Sequence, residues 1–342
     1  MEYRLLGGNG VQVSKLALGS MMFGSWGNPD HDASIDVIHR ALDAGVNLID
    51  TADVYSAGES EEIVGKAIAG RRDEVVLATK FWGTMGDGAN QRGASRRWII
   101  QAVENSLRRL GTDWIDLYQM HNPNVGSDIE ETLGALTDLV RQGKIRYIGA
   151  SKLSPSRIVE TQWVSRDRHL ERFVTEQPTY SILARGIETE VLPTAAHYRI
   201  GVITYSPLNG GWLSGAWTRD GGAPEQAPAR RRLTARFDMA LPANQAKLDA
   251  VEKLGALAAE TGITLIELAI AFAINHPTVT AALIGPRTRE HLESQLSAAD
   301  VVLGDAVLDR IDEIVRPGVT LNPADVMSPP DDPSARRRYV KS

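Results

Sequence analysis

The sequence predicts an α/β fold, a (β/α)8 TIM barrel with a long loop after strand seven and a C-terminal tail. Three observations carry this reading. Eight short, nearly continuous apolar runs occur in order, as expected of parallel strands buried on both faces. Amphipathic stretches of helical spacing alternate with them, which is the pattern of repeated β-then-α units. The open doubly wound sheet that shares this pattern usually opens with a Gly-rich dinucleotide fingerprint, and neither G-x-G-x-x-G nor G-x-x-x-x-G-K-[ST] is present.

The strand candidates are 16–19, 46–50, 75–80, 115–121, 145–151, 173–177, 202–206 and 281–285. Between them, Ile35, Ile38 and Leu42 mark a first helix, with Gly45 placed to end it in the left-handed region. Ile63, Val64, Ala67 and Ile68 mark a second, and Ile99, Ile100, Val103, Leu107 and Leu110 a third behind the N-cap candidate Ser95. Ile129, Leu133, Leu136 and Val140 mark a fourth, and further stripes fall in 155–164, 188–198, 244–275 and 288–299. The cluster Gly7-Gly8-Asn9-Gly10 precedes the first buried strand and reads as a turn, so residues 5–13 are expected to form a hairpin plugging the barrel floor. The barrel is expected to span residues 1–318, followed by a tail over 319–342. Residues 209–243, rich in Gly, Pro and Arg, form a connection long enough to be functional. Residues 317–342 hold five prolines and Arg336-Arg337-Arg338, and read either as a solvated tail or as a strap across the barrel mouth.

Composition narrows the function. The 342 residues are 43% hydrophobic and 23% charged, enough for a substantial core. With 37 Lys and Arg against 43 Asp and Glu the formal net charge is −6, which lacks the basic footprint of a nucleic-acid binder. The absence of cysteine excludes disulfides, thiolate zinc sites and cysteine nucleophiles. No apolar run reaches the roughly 18 residues of a membrane span and residues 1–18 contain no apolar leader core, so a cytoplasmic protein without membrane contact is expected.

In such barrels chemistry sits at the C-terminal strand ends. There the sequence places Asp50, Tyr55, Lys80 and His121, on three successive strands. Each alone has an ordinary reading: a cap, a rim tyrosine, a strand's exit into water, a hydrogen-bonded histidine. Together they form a device. A buried ammonium needs a carboxylate, a nearby cation is expected to lower a phenol's pKa from about 10, and a tuned phenol serves as a general acid. A histidine beside it can hydrogen-bond a substrate oxygen. No metal is required.

The separated strings Gly19-Ser-Met-Met-Phe-Gly24, Asn47-Leu-Ile-Asp-Thr-Ala-Asp-Val-Tyr55, Lys80, Ile115-Asp-Leu-Tyr-Gln-Met-His121, Gly149-Ala-Ser-Lys152, Gln177-Pro-Thr-Tyr180, Tyr205-Ser-Pro-Leu208 and Ile284-Gly-Pro-Arg-Thr288 occur in one order. Over roughly residues 1–318 the chain thereby resembles the aldo-keto reductases, and within them bacterial reductases related to β subunits of voltage-gated potassium channels. The resemblance implies NADPH (NADP+)-dependent reduction of an aldehyde or ketone, with Tyr55 as proton donor, Lys80 and Asp50 as its tuning pair and His121 as the orienting donor. It implies that Ser151 and Gln177 hold the nicotinamide carboxamide, that Tyr205 stacks on the nicotinamide ring, and that Lys152 also meets the cofactor. Gly19, Ser20, Met21 and Asp50 would border the same cofactor. Ser206, Leu208, Gly210 and Ser214 would line the pyrophosphate, Gly285 and Arg287 would meet the cofactor where the last helix begins, and His291 and Gln295 would face the adenosine side. Arg287 and Thr288 just before a helix suit a phosphate, which favours NADPH over NADH.

Two departures stand out. Lys152 takes the place of the Asn of many members and the Arg of the channel-like branch. Ala216 replaces a basic residue of those relatives, for which arginines 230–232 could compensate. Met22, Phe23, Trp26, Phe81 and Trp82 could line an apolar mouth for a hydrophobic carbonyl compound, with Trp26 and Trp82 the substrate candidates and Phe23 and Phe81 read as rim packing. Two other classes compete: a nicotinamide-binding regulatory subunit with slow redox chemistry, and a Schiff-base lyase using Lys80. The channel relatives carry Asn where His121 stands, which favours the enzyme. The natural substrate and the choice between monomer and homo-oligomer stay open.

Overall fold

A computed structural model describes residues 1–123, 126–219 and 233–326. Eight parallel strands close into a barrel: β3 (Leu16–Gly19), β4 (Leu48–Asp50), β5 (Val76–Phe81), β6 (Ile115–Met120), β7 (Ile145–Ser151), β8 (Phe173–Gln177), β9 (Gly201–Tyr205) and β10 (Val279–Ile284). β10 pairs with β3 to complete the circle, Leu283 opposite Ala17. The expected strands are all present. The ends differ by up to two residues: β4 begins at Leu48 rather than 46, and β10 at Val279 rather than 281.

Helices α1 (His31–Asp43), α2 (Glu59–Ile68), α3 (Arg96–Leu110), α4 (Ile129–Arg141), α5 (Pro155–Asp167) and α6 (Val191–Tyr198) connect the strands from β3 to β9. Ser95 caps α3 by accepting from the Trp98 N–H, and Gly45 follows α1 at φ +85°, as their residue types foretell. After β9 come α7 (Thr234–Phe237), α8 (Pro242–Thr261) and α9 (Leu265–Asn275), then α10 (Arg289–Leu296) and α11 (Asp305–Ile314) behind β10. The stripe expected over 244–275 is thus two helices. Gly262 ends the first in the left-handed region at φ +73°, and Thr264 opens the second with a capping box to Glu267. The pair meets at 92°, and no single helix among the described residues is long and apolar enough to cross a membrane.

Two cores follow from this layering. One lies between strands and helices. The other fills the barrel, where Ala17, Leu48, Ala78, Leu117, Ile203 and Ala281 pack together. The hairpin of β1 (Tyr3–Leu5) and β2 (Gln12–Ser14) closes the N-terminal end of the barrel, with Leu6 and Val13 both 0% exposed in that inner core. Arg4 ties the hairpin down by donating to the carbonyls of Ile274 and Val279 at 2.7 and 2.9 Å. Among the described residues the hairpin thus fills the N-terminal end of the barrel with apolar side chains.

The last described segment is held by protein rather than by solvent. Thr320 bridges Ala184, Leu321 donates to the Leu183 carbonyl at 3.0 Å, and the buried Asp325 carboxylate receives Lys247 at 3.0 Å and Arg236 at 3.0 Å. Arginines 230–232 and the run 336–338 lie outside the described residues.

Gly7 shows how tightly the plug fits. Its φ is +66°, and a Cβ there would stand 2.6 Å from the Val174 carbonyl oxygen and 2.9 Å from the Gly201 nitrogen. Gly7→Ala combines left-handed strain with a backbone clash, and is expected to cost about 2 kcal/mol or more, read as a lowered urea midpoint with an unchanged slope.

Candidate active site

Strand alternation builds the site. Residues two apart share a strand face, so Leu48, Ala78 and Leu117 in the inner core put Asp50, Lys80 and Gln119 on the same inner face one step nearer the mouth. The interior therefore changes from apolar to polar along its axis. Lys80 is 0% exposed and Asp50 2%. The Lys80 ammonium donates to Asp50 Oδ1 in a short ion pair and to the Thr51 carbonyl at 2.9 Å. Asp50 Oδ2 accepts from Gln119 Nε2 at 2.8 Å and Gln177 Nε2 at 3.0 Å. Burial by itself would drive Lys80 down, but the Asp50 and Tyr55 charges and their hydrogen bonds hold it above its ordinary value, so it is a cation at neutral pH.

Tyr55 arrives from the loop after β4, where Ser56 and Ala57 adopt left-handed φ values of 49° and 57°. Its hydroxyl lies 3.4 Å from Lys80 Nζ. The His121 ring meets Tyr55 edge-on at 5.7 Å between centroids, and Trp26 lies against its other side at 6.0 Å. The four expected residues thus converge at one mouth. The expected lowering of the Tyr55 pKa does not hold in net: burial pushes the phenol above its usual value, and the Lys80 charge offsets only part of that push. His121 is driven well below the usual histidine range by burial and then by the charges of Lys80 and Lys152, so its imidazole is neutral.

Beyond this array lies a second polar group. Lys152, at φ +65°, donates to Asn122 Oδ1 at 2.7 Å. Burial and the Lys80 charge lower its pKa to about 8, against the opposing charge of Glu176. Glu176 is itself raised to about 8 by burial, and its Oε1 accepts from the Leu153 N–H at 3.0 Å. The Ser151 hydroxyl donates to the main-chain carbonyl of Gln177 at 2.8 Å.

The remaining predicted residues border the same end of the barrel. Tyr205 ends β9, and Ser206, Leu208, Gly210 and Ser214 line the turns that follow, with Ser206 at φ 59° and Gly210 at φ 71°. Gly285 and Arg287 follow β10, and His291 and Gln295 lie on α10, whose N-cap is Thr288. Among the described residues, no acidic or hydrogen-bonding partner meets the Arg287 guanidinium. Gly19 ends β3 and Met21 is exposed, whereas the Ser20 hydroxyl is turned inward, sharing hydrogen bonds with Ser60 and the Asp50 carbonyl. Trp26 and Trp82 are half-buried at the rim, while Met22, Phe23 and Phe81 are buried in the protein and line no mouth. Ala216 is exposed.

Three residues of the site were not singled out from the sequence. Gln119 and Glu176 are polar residues inside buried parallel strands, and that contrast is the signal that could have found them. Asp53 carries no such signal. It is 1% exposed, and neither carboxylate oxygen has a hydrogen-bond partner. Arg109 is engaged instead by Glu61, which also accepts from Thr79 at 2.6 Å.

Fold and constellation together define a closed parallel barrel with a buried ionic and aromatic array at the C-terminal ends of its strands. Comparison with known proteins supplies the family. The aldo/keto reductase family model matches residues 15–316. The chain is 38% identical to the aldo-keto reductase YhdN of Bacillus subtilis, over 86% of this chain and 87% of the relative. It is 35% identical to a probable voltage-gated potassium channel subunit beta of Arabidopsis thaliana, over 92% and 97% of the two chains. It is 31% identical to the versiconal hemiacetal acetate reductase of Aspergillus parasiticus, over 92% and 96%. The chain belongs to the aldo/keto reductase family and is an oxidoreductase.

Asp53 generates a stability prediction. Burial, then the Glu61 charge, raises its pKa to about 8 in the folded protein, against about 3.9 in an unfolded chain. Between those values the native state holds the extra proton, so this group's contribution to stability falls as pH rises. Asp53→Asn is expected to stabilise the protein by about 1–3 kcal/mol at pH near 8, with little gain near pH 5, read from urea midpoints at both pH values.

Proposed function

We propose that the protein reduces an aldehyde or ketone to the alcohol with NADPH, using Tyr55 as general acid. The observation that carries this reading is the Tyr55 hydroxyl 3.4 Å from a buried, charged Lys80 that Asp50 holds in place. The donor set suits the cofactor. Gln177 Oε1 meets no donor among the described residues and can accept from a carboxamide. Arg287, whose guanidinium meets no partner among the described residues, stands beside the N-terminus of α10 and suits a phosphate. When bound, the reduced nicotinamide supplies the hydride that the carbonyl carbon receives.

The chain's own residues handle the oxygen. Tyr55 keeps its proton at neutral pH because burial holds its pKa up, so the donor is loaded before substrate arrives. As negative charge develops on the substrate oxygen, Tyr55 passes its proton there. The Lys80 ammonium then faces the phenolate left behind and stabilises it across the short gap. Asp50 keeps Lys80 charged throughout. Neutral His121 offers a ring N–H to the same oxygen without adding a charge that would compete with Lys80. Trp26, packed on Tyr55, helps keep water from the donor. Lys80 is pinned as a cation by Asp50 and Thr51, which disfavours the amine nucleophile a Schiff-base lyase needs.

The similarity to a channel β subunit favours one second reading, a nicotinamide-binding regulatory subunit. Single-turnover hydride transfer separates the two, because a regulatory subunit would oxidise bound NADPH far more slowly than the ordinary range of enzyme turnover.

Two variants test the main reading. Tyr55→Phe is expected to bind NADPH nearly as the parent does while kcat drops about 10²–10⁴-fold in an aldehyde-reduction assay. Near-normal turnover would remove Tyr55 from its role. Arg287→Ala is expected to raise the Kd for NADPH about tenfold or more and to leave that for NADH nearly unchanged, as measured by tryptophan fluorescence quenching.

A further inference from the structure

Gln119 sits in register between Lys80 on β5 and Gly149 on β7. It is 0% exposed, and both ends of its amide are engaged. Nε2 donates to Asp50 Oδ2 at 2.8 Å, and Oε1 accepts from Gln177 Nε2 at 3.3 Å. A carboxylate offers only acceptors, which fixes the orientation of both amides. Gln177 Nε2 also reaches Asp50 Oδ2 at 3.0 Å, so its two N–H groups are committed and its carbonyl alone remains available. The neighbouring strand makes room for this arrangement. Gly149 is not in the left-handed region, so its backbone does not require glycine. A Cβ there would stand 3.1 Å from Gln119 Cγ and 2.2 Å from Thr175 Oγ1, which makes space the reason for the glycine.

We propose that Gln119 is a positioning residue that joins the Asp50–Lys80–Tyr55 array to the group holding the nicotinamide carboxamide. Its N–H fixes the Asp50 carboxylate, and its carbonyl turns the Gln177 amide so that Gln177 presents an acceptor to the cofactor. The inference rests on the cofactor reading above. Without the Gln119 carbonyl, the Gln177 amide keeps its bond to Asp50 Oδ2 but loses the second contact that fixes its plane. Without its N–H, Asp50 Oδ2 loses one of its two amide donors and keeps only Gln177. Holding cofactor and keeping Lys80 charged thereby become one coupled network.

A double-mutant cycle on NADP+ affinity tests the coupling, with Kd read by tryptophan fluorescence quenching. Gln119→Leu is expected to raise Kd about tenfold, the scale of one hydrogen bond to a charged network. Gln177→Leu is expected to raise it as well. The double variant is expected to bind about as Gln177→Leu does, because the Gln119 contribution to carboxamide binding runs through Gln177. A merely structural role would lower the melting temperature and leave the two penalties additive. Gln119→Glu supplies a second readout and serves if Gln119→Leu fails to fold. Its side chain accepts from Gln177 at any pH but donates to Asp50 only when protonated, and the adjacent carboxylate raises its pKa. Relative to the parent at each pH, which carries the titration of Lys152 and Glu176, its NADP+ affinity is therefore expected to approach parity at low pH and to weaken as pH rises. Parent-like binding by Gln119→Leu, full additivity, or a pH-independent penalty in Gln119→Glu would overturn the proposal. Unchanged binding by Gln177→Leu would instead break the carboxamide reading, and the coupling with it.

Discussion

The structure of the mouth depends on one buried ion pair, Lys80 with Asp50. Moving two charges out of water costs several kcal/mol per ion, roughly, and attraction alone rarely recovers it. Here every strong hydrogen-bonding direction is met. One carboxylate oxygen faces the ammonium and the other takes two amide N–H groups. The ammonium also reaches a backbone carbonyl and a phenol. Such a pair tolerates little movement, so the strands that carry it must keep register. The residues around it read as consequences: amides on β6 and β8, a glycine on β7, and a loop strained into left-handed φ to bring Tyr55 within reach.

That constraint also explains the division of the barrel interior. A charged pair cannot sit against a wet floor, and the hairpin of β1 and β2 seals that end with Leu6 and Val13. The apolar layer above the plug supplies the low-dielectric wall that strengthens the pair and raises the Tyr55 pKa. Polar residues accumulate only in the last layer before the mouth. The same environment holds His121 neutral, so cation and hydrogen-bond donor stay distinct roles on neighbouring residues.

The surroundings of the site are tied together by a second buried pair. Lys247 on α8 reaches Asp325 in the chain after α11 and, at 3.3 Å, Asn209 in the turn after β9. Arg236 on α7 meets the same Asp325. Burial lowers Lys247 to about 8 in spite of Asp325. As far as Val326 the C-terminal segment therefore supports the turns that follow β9; of the two readings its sequence offered, a solvated tail or a strap, the described part has the contacts of a strap, and the anchor is a single aspartate with partners far away in sequence.

The eight strands and most helices were legible because burial on both faces of a parallel strand and on one stripe of a helix writes a periodic pattern into local sequence. Asp50 and Lys80 were legible because a strand's last inward position is fixed by counting, and Tyr55 and His121 because they follow close behind strand ends. The break at Gly262 was missed since the apolar stripe continues across it, and only the capping of Thr264 by Glu267 divides it. The direction of the Tyr55 shift was misjudged because it is set by two opposed effects, burial and a cation, and no sequence gives their relative size. Gln119 was visible as a letter but not as a link, since its partners lie 69 and 58 residues away. The sequence by itself determined the architecture and the residues at its mouth, through patterns local in the chain. Tertiary structure alone decided which side chains share a proton's environment, because desolvation and hydrogen-bond geometry exist only once distant strands close around one another.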